Sequence, residues 1–367
     1  MLFKKNKEIV IFNPSIEDGG VEKNLYLISN YLANKFDDLT IITSDKKNTK
    51  LSKKIKIFSH YFNLNKNAGR KIKYSLCLIM LVLKIILCKR NCLVFAFQAN
   101  IYAVIICYIF NIKIITRSNS SSSGWSQNVI KNFLLSFFLK KASVVIVNSF
   151  DFKKELDKKF NINTKVILNP FKFNEIKKKS LKKIKNNFFK KNTLNLISVG
   201  RLTEQKDHET FIKAIFLASK KIKIRAIIMG EGYLKNNIKN LIMKYQLTKN
   251  ILLLGYNLNP YKYMKNSDIF ILTSIFEGHP NVLVEAQYLK KYIISSDCPT
   301  GPKEILNNGK FGDLFKIKDF KNLSKLIIKY KKNKKTFLKI NQAYKNHKIY
   351  SYENNCKEYY KTIMRFI

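Results

Sequence analysis

Acidic residues are scarce in this chain of 367 residues. Asp and Glu number 24 against 69 Lys and Arg, a net charge of +45. A surface so short of carboxylates suits nucleic acid, an anionic membrane face or phosphorylated small molecules. The joint abundance of Lys, Asn and Ile also fits an AT-rich genome, which explains part of the charge without any function. Metal signatures are missing too. The four histidines form no HExxH or similar spacing, and no Asp-x-Asp is present to hold a divalent cation on a sugar nucleotide. The six cysteines, Cys77, Cys88, Cys92, Cys107, Cys298 and Cys356, form no CxxC pair and sit mostly in apolar runs. They read as reduced core residues of a cytosolic protein, not as a disulfide or zinc framework. No internal repeat is visible. The start, MLFKKNKEIVIFN, is basic but carries too short an apolar run for a signal peptide.

Long hydrophobic runs are also lacking. The most apolar stretch, 76–88 (LCLIMLVLKIILC), is interrupted by Lys84 and falls short of the ~20 residues that span a bilayer. It reads as a buried helix, or else as a helix lying in a membrane interface. The basic flanks Arg70-Lys71-Ile72-Lys73 and Lys89-Arg90 keep the second reading open.

What is present is a double βα pattern. EIVIF (8–12) reads as a strand, NPSIEDGG as a loop, the stretch from Val21 to about Lys35 as a helix, and LTIITS as a second strand. Further strands are expected at 92–97, 112–116 and 143–147. Composition then turns polar and lysine-rich over 172–192, the expected interdomain link. The pattern restarts with strands at 194–200, 222–230, 250–255 and 267–274, and helices between them. Strands alternating with helices argue for parallel sheets covered on both faces. The expected organisation is a domain over 1–171, the link 172–192, a second domain over 193–345, and a terminal helix over 346–367 packing back on the first domain.

The chemistry concentrates at strand ends. IFEGHPNVLVEA (275–286) holds Glu277 before a Gly-His-Pro-Asn elbow and Glu285 about one turn into the next helix. Asn281 suits a helix cap. The first-turn amides near Asn281, Val282 and Leu283 then face the C-terminal edge of the sheet, where doubly wound folds bind ligands and where a phosphate gains from donors and dipole. Glu285 can accept a ribose diol, and Glu277 stands at the mouth of the same site. SVGRLTEQKDHETF (198–211) adds Arg201 and Lys206, two cations suited to a diphosphate. MGEGYL and LGYNLNPY supply two more glycine turns. His279 reads as elbow packing and His208 as helix surface.

VGRLTEQKD, MGEGYL, LGYNLNPYKYMKNSDIFILTS, FEGHPNVLVEA and CPTGPKEIL together resemble the retaining glycosyltransferases of family 4. NPSIEDGGVEKNLYLISNYLA and VVIVNSF extend the likeness more loosely into the N-terminal half. The resemblance implies an α/β fold of two Rossmann-like doubly wound domains facing across a cleft, the GT-B fold. It implies that Arg201 and Lys206 bind the donor diphosphate with help from amides at Asn281, Val282 and Leu283, and that Glu285 binds ribose. Glu277 would lie beside the transferred sugar as the catalytic carboxylate, and Tyr256 would contact the base. Gly20, on the donor diphosphate, and Gly19, on the acceptor side, would let the N-terminal loop approach both substrates; Arg117 and Asn119 would also face the acceptor. Many relatives carry a histidine near the end of the fourth N-terminal strand. Here FAFQANIYA puts Gln98 or Asn100 at that place.

Segments similar to DCPTGPKEIL occur in bacterial enzymes that build lipid-linked oligosaccharides. The expectation is therefore sugar transfer from a nucleotide sugar, UDP-linked, to a polyprenyl-linked or other glycan acceptor. It needs no cofactor or metal, since the two cations and helix N-terminus take over the leaving group's charge. The expected location is the inner face of the cell membrane, with an anionic membrane surface as partner and no nucleic acid. Three rivals are an epimerase of the same architecture, a two-carboxylate glycosidase and a basic nucleic-acid-binding protein, for which no binding motif is visible.

Overall fold

Strands that are apolar on both faces need cover on both faces, and that requirement shapes each half of this chain. A computed structural model describes residues 7–16, 19–45, 50–61, 69–119, 129–184 and 188–367. The chain divides into two units, one of residues 1–171 with 350–367, the other of residues 172–349.

The first unit runs β1 (Glu8–Phe12), α1 (Gly20–Leu32), β2 (Leu39–Ile42), β3 (Lys56–Phe58), α2 (Arg70–Leu87), β4 (Cys92–Ala96), α3 (Asn100–Ile109), β5 (Ile114–Arg117), α4 (Val129–Lys141), β6 (Val144–Val147), α5 (Phe150–Phe160) and β7 (Lys165–Val166). Its strands form one sheet, ordered β3-β2-β1-β4-β5-β6-β7, and every pairing is parallel. Strand order reverses between β1 and β4. Ile9, Ile11 and Phe95 face α1, through Leu25 and Ile28. Val10, Phe12 and Val94 face the opposite way, toward Leu81 and Ile85 of α2 and Val104 of α3.

The second unit runs α6 (Phe173–Ser180), β8 (Leu194–Val199), α7 (His208–Ser219), β9 (Ile224–Met229), α8 (Lys235–Lys244), β10 (Ile251–Gly255), α9 (Tyr261–Asn266), β11 (Ile269–Leu272), α10 (Asn281–Tyr288), β12 (Tyr292–Ser296), α11 (Pro302–Ile305), β13 (Asp313–Phe315), α12 (Phe320–Lys329) and α13 (Lys334–Asn346). Its parallel sheet is ordered β10-β9-β8-β11-β12-β13, reversing between β8 and β11. The last helix, α14 (Tyr352–Met364), returns to the first unit, where Cys356, Tyr359 and Ile363 join Leu25, Ile28 and Phe95 in one core.

Two local expectations change. The stretch 172–192 is not a bare link, because Phe173, Ile176 and Ser180 share one face of α6. Ile176 and Ser180 are buried, and Phe173 packs 4.6 Å from both the Tyr288 and the His347 rings. The 76–88 stretch is part of the longer helix α2. Among the described residues no helix is long and apolar enough to cross a membrane.

Candidate active site

The reversal point of a doubly wound sheet opens a crevice at the carboxyl ends of two strands that no crossover covers. In the second unit those ends are Val199 and Leu272, and Arg201, Lys206, Ser274 and Glu277 follow them directly. Lys206 closes a short 3-10 turn (Glu204–Lys206), and its ammonium is ion-paired with the Glu277 carboxylate. Both side chains are mostly buried, 13% and 8% exposed.

This pair is held from several sides. Ser274 Oγ donates to Glu277 Oε1 at 2.6 Å, and Thr300 Oγ1 donates to the Glu277 carbonyl at 2.6 Å. Ser296 Oγ donates to the Ser274 carbonyl at 2.6 Å, and Thr273 Oγ1 to the Lys206 carbonyl at 2.8 Å. Gln205 ties the two loops together: its carbonyl accepts from the Ile275 N–H at 2.8 Å, and its Nε2 donates to the Phe276 carbonyl at 2.9 Å. Arg201 is exposed and reaches the same group, with Nη2 3.4 Å from Gln205 Oε1. Arg201 and Lys206, close in sequence, and Glu277, 71 residues beyond Lys206, are thus gathered at one sheet edge.

A largely buried ion pair adds little stability, since desolvating both ions offsets most of their attraction. Its place at the ligand edge is better explained by chemistry. Lys206 already neutralises one carboxylate there, so an incoming diphosphate would compete with Glu277 for the same ammonium. Nearby glycine fits a close approach. Gly230 has φ +156°, and a Cβ there would lie 1.8 Å from the Gly200 carbonyl oxygen, so only glycine lets β9 leave the sheet beside β8.

The other expected residues fall less uniformly. Asn281 is the first residue of α10, not its cap. Pro280 holds the cap position in an extended conformation with no side-chain bond to the helix. Proline's fixed φ sets the helix entry, so the asparagine moves inside it. Val282 is half-buried. Leu283 is a core residue, and its N–H donates to the Pro280 carbonyl at 3.0 Å, so that amide is committed within the helix. Glu285 is 1% exposed and accepts from the Tyr261 hydroxyl at 2.9 Å. Tyr256 is half-exposed after Gly255.

Two histidine expectations separate. His279 is buried in the elbow. His208 is not on the helix surface but 3% exposed, beside the Gly200 and Arg201 backbone. Burial first, and then the charge of Lys206, push its pKa down to about 4. Cys298 is buried, and burial together with the Glu277 charge pushes its thiol up to about 12, so it remains an unreactive thiol.

In the first unit the acceptor-side expectation for Arg117 is overturned. Arg117 is fully buried; its Nε donates to the Tyr359 hydroxyl at 2.9 Å and its Nη2 to Asn169 Oδ1 at 2.6 Å, with Phe97 under the guanidinium. It pins α14 to the sheet, and a partner 242 residues away gives no local signal. Asn119 spends its amide on the Phe97 carbonyl at 3.0 Å. The serine loop after it lies outside the described residues. Gly19 is extended, φ −140°, a conformation open to any residue, and Gly20 opens α1. Gln98 stands at the β1/β4 reversal: its Oε1 accepts from the Ser15 N–H at 3.2 Å and its Nε2 lies 3.5 Å from Glu22 Oε1. Asn100 instead donates to the Arg117 carbonyl at 2.9 Å. Gln98 therefore occupies the ligand edge, beside Glu22, a buried acid that sequence pattern did not single out.

Two doubly wound parallel units in one chain are the architecture of the GT-B fold. Residues 179–347 match the family model described as glycosyl transferases group 1. That span lies within the second unit, which thus resembles the group 1 glycosyltransferases. The chain is 37% identical over 177 residues to an uncharacterized glycosyltransferase of Methanocaldococcus jannaschii, a match covering 46% of this chain and 43% of that protein. It is 28% identical over 360 residues to the N-acetylgalactosamine-N,N'-diacetylbacillosaminyl-diphospho-undecaprenol 4-alpha-N-acetylgalactosaminyltransferase of Campylobacter jejuni, covering 93% of each. Among solved structures, Anabaena HepE in complex with UDP and glucose shares the fold at a TM-score of 0.76 and 18% identity, covering 98% of this chain and 100% of that one.

Proposed function

We propose that the chain transfers a hexose or N-acetylhexosamine from a UDP-linked donor to a glycan acceptor carried on polyprenyl diphosphate, retaining configuration at the anomeric carbon. The observation that carries this reading is the Lys206–Glu277 pair at the β8/β11 reversal, with Arg201 joined to it through Gln205. On donor binding the diphosphate takes the Lys206 ammonium and the Arg201 guanidinium, and the start of α10 faces its charge. Released from Lys206 and still held by Ser274, Glu277 stands beside the sugar and stabilises positive charge as the glycosidic bond to phosphate breaks. The acceptor hydroxyl attacks from the face the diphosphate leaves, giving its proton to a leaving phosphate oxygen, so no covalent enzyme intermediate and no metal are needed. Glu285 holds the ribose, sharing it with the Tyr261 hydroxyl. Tyr256 lies along the base, and Gly19 belongs to the acceptor side.

The full-length likeness to an enzyme whose name specifies an undecaprenol-diphosphate acceptor supports the lipid carrier, and HepE with UDP supports the nucleotide. Such an acceptor places the reaction at the inner face of the membrane. The test is a thermal-shift screen against UDP- and GDP-sugars, followed by transfer to polyprenyl-diphosphate glycans in excess EDTA. Stabilisation by a UDP-sugar and EDTA-resistant transfer are expected. Stabilisation by no nucleotide sugar would overturn the reading, and full loss in EDTA would overturn its metal independence.

A further inference from the structure

Helix α2 reverses the usual placement of charge. A surface helix normally turns apolar residues inward and charges outward. Here Lys84, in the last turn and the one charge beyond the first four residues of the helix, points inward and pairs with Glu8 of β1 at 2.7 Å. Glu8 also accepts from Cys88 Sγ at 2.8 Å and from the Thr40 hydroxyl. The outward face is left to Ile72, Ile79, Leu83, Ile86 and Leu87, all exposed. At 100° per residue these five fall within an arc of about 100° and run about 22 Å along the helix. Cys77, Leu81 and Ile85 occupy the opposite, buried face, so the helix is apolar on both sides.

The surface continues onto the neighbouring helices. α3 packs between α2 and α4 on the same face of the sheet. Its Ile109 is 70% exposed, and Phe133 of α4 is 72% exposed. Lys141 joins the two helices, lying 5.0 Å from the Tyr108 ring centre and 5.1 Å from that of Phe137. The rim is cationic, with Lys71, Lys89, Arg90, Lys140 and Lys141 exposed around the apolar stripe. Residues 46–150 contain no Asp or Glu at all.

We propose that the outward face of α2, α3 and α4 docks the enzyme on an anionic phospholipid bilayer, with α2 lying in the plane of the headgroups. Aliphatic and aromatic side chains enter the interface and the cationic rim meets lipid phosphates. The charge pattern selects this occupant. A second copy of the chain would bring lysine rim against lysine rim, with no carboxylate on either face to answer it. Nucleic acid would leave the aliphatic stripe without a counterpart. The proposal deepens the lipid-carried acceptor reading, on which the purpose of docking rests, while the surface is argued independently of it.

The test is cosedimentation of the full chain with vesicles of phosphatidylglycerol and phosphatidylcholine, and of phosphatidylcholine alone, with UDP-sugar binding and thermal unfolding measured on each variant. The wild type should partition onto anionic vesicles, more weakly but still measurably in high salt, and much less onto neutral ones. Ile79→Glu with Leu83→Glu should cut that partition about tenfold or more, since both apolar insertion and charge are opposed. These sites are exposed, so unfolding temperature and UDP-sugar binding should hold. Phe337→Glu, an exposed apolar site in the second unit, should bind vesicles like the wild type. A wild type that stays in the supernatant, or a double variant that binds vesicles unchanged, would overturn the proposal. So would a wild-type dimer, without vesicle binding, that the double variant dissolves, because a second copy would then cover the face. Vesicle binding without binding of any nucleotide sugar would leave docking intact and defeat the proposed function instead.

Discussion

On the proposed reading three side chains, Arg201, Lys206 and Glu277, carry the chemistry, and each makes its own prediction. Arg201→Ala removes a charge-assisted contact to the diphosphate, worth about 1.5–3 kcal/mol, and should weaken donor binding roughly 10- to 100-fold. Unchanged donor affinity would remove Arg201 from the diphosphate site. Glu277→Gln keeps the Ser274 bond but not the charge. It should lower kcat about 10²-fold or more with a small effect on donor binding, measured by initial rates beside direct titration. Equal loss in binding and turnover would make Glu277 a donor-binding group instead. His208 makes a prediction about pH. Its folded pKa, about 4, lies below the ordinary 6.5, so the unfolded chain binds the extra proton between those values. The stability it contributes is complete above pH 6.5 and is lost as pH falls toward 4, about 3 kcal/mol in all. Urea midpoints should fall over that window, and the slope should flatten in His208→Leu; equal slopes would exclude the imidazole as the cause.

At the level of elements, most strands buried on both faces were legible, because runs such as EIVIF, CLVFA and IRAIIM admit little else, though β12 (YIISS), with its two serines, was not among those expected. The edges were not. β3 is three residues with two exposed, and β7 is a two-residue pairing, so neither carries an apolar run. The helix α6 hid because one short buried stripe among lysines looks like a solvated link. At the site, the motif residues were legible by spacing at strand ends. Arg117 was misplaced because a cation after a strand looks the same whether it meets a ligand or a distant tyrosine. Arg117→Met should therefore lower stability, leaving the Tyr359 hydroxyl and Asn169 Oδ1 without their donor, by about 1–3 kcal/mol for each group left unsatisfied. It should leave the KM for acceptor unchanged; a raised acceptor KM at parent stability would restore the acceptor assignment. The loop before α11 clamps the elbow. Gly301 has φ +84°, and a Cβ there would sit 2.6 Å from the Gly278 carbonyl. Gly301→Val should displace the elbow and cost activity more than stability, read as a kcat loss exceeding any shift in Tm.

For the whole molecule, chain order and spatial order differ at one place. α14 crosses back to the first unit, and Tyr359 closes the core over Arg117. A chain ending at residue 349 should lose the first unit's cooperative thermal transition, and unfolding at the parent temperature would contradict that. The large positive charge, uninformative as a total, becomes informative once its distribution is known, since its acid-free span includes the helices whose apolar faces are exposed. The central claim remains the diphosphate grip at the β8/β11 reversal, and calorimetric titration of UDP into wild type and Lys206→Ala tests it most directly. The account predicts that the wild type binds and that loss of the ammonium weakens binding at least about tenfold, the order expected for a charge-assisted contact. Equal UDP affinity in the two proteins would contradict it.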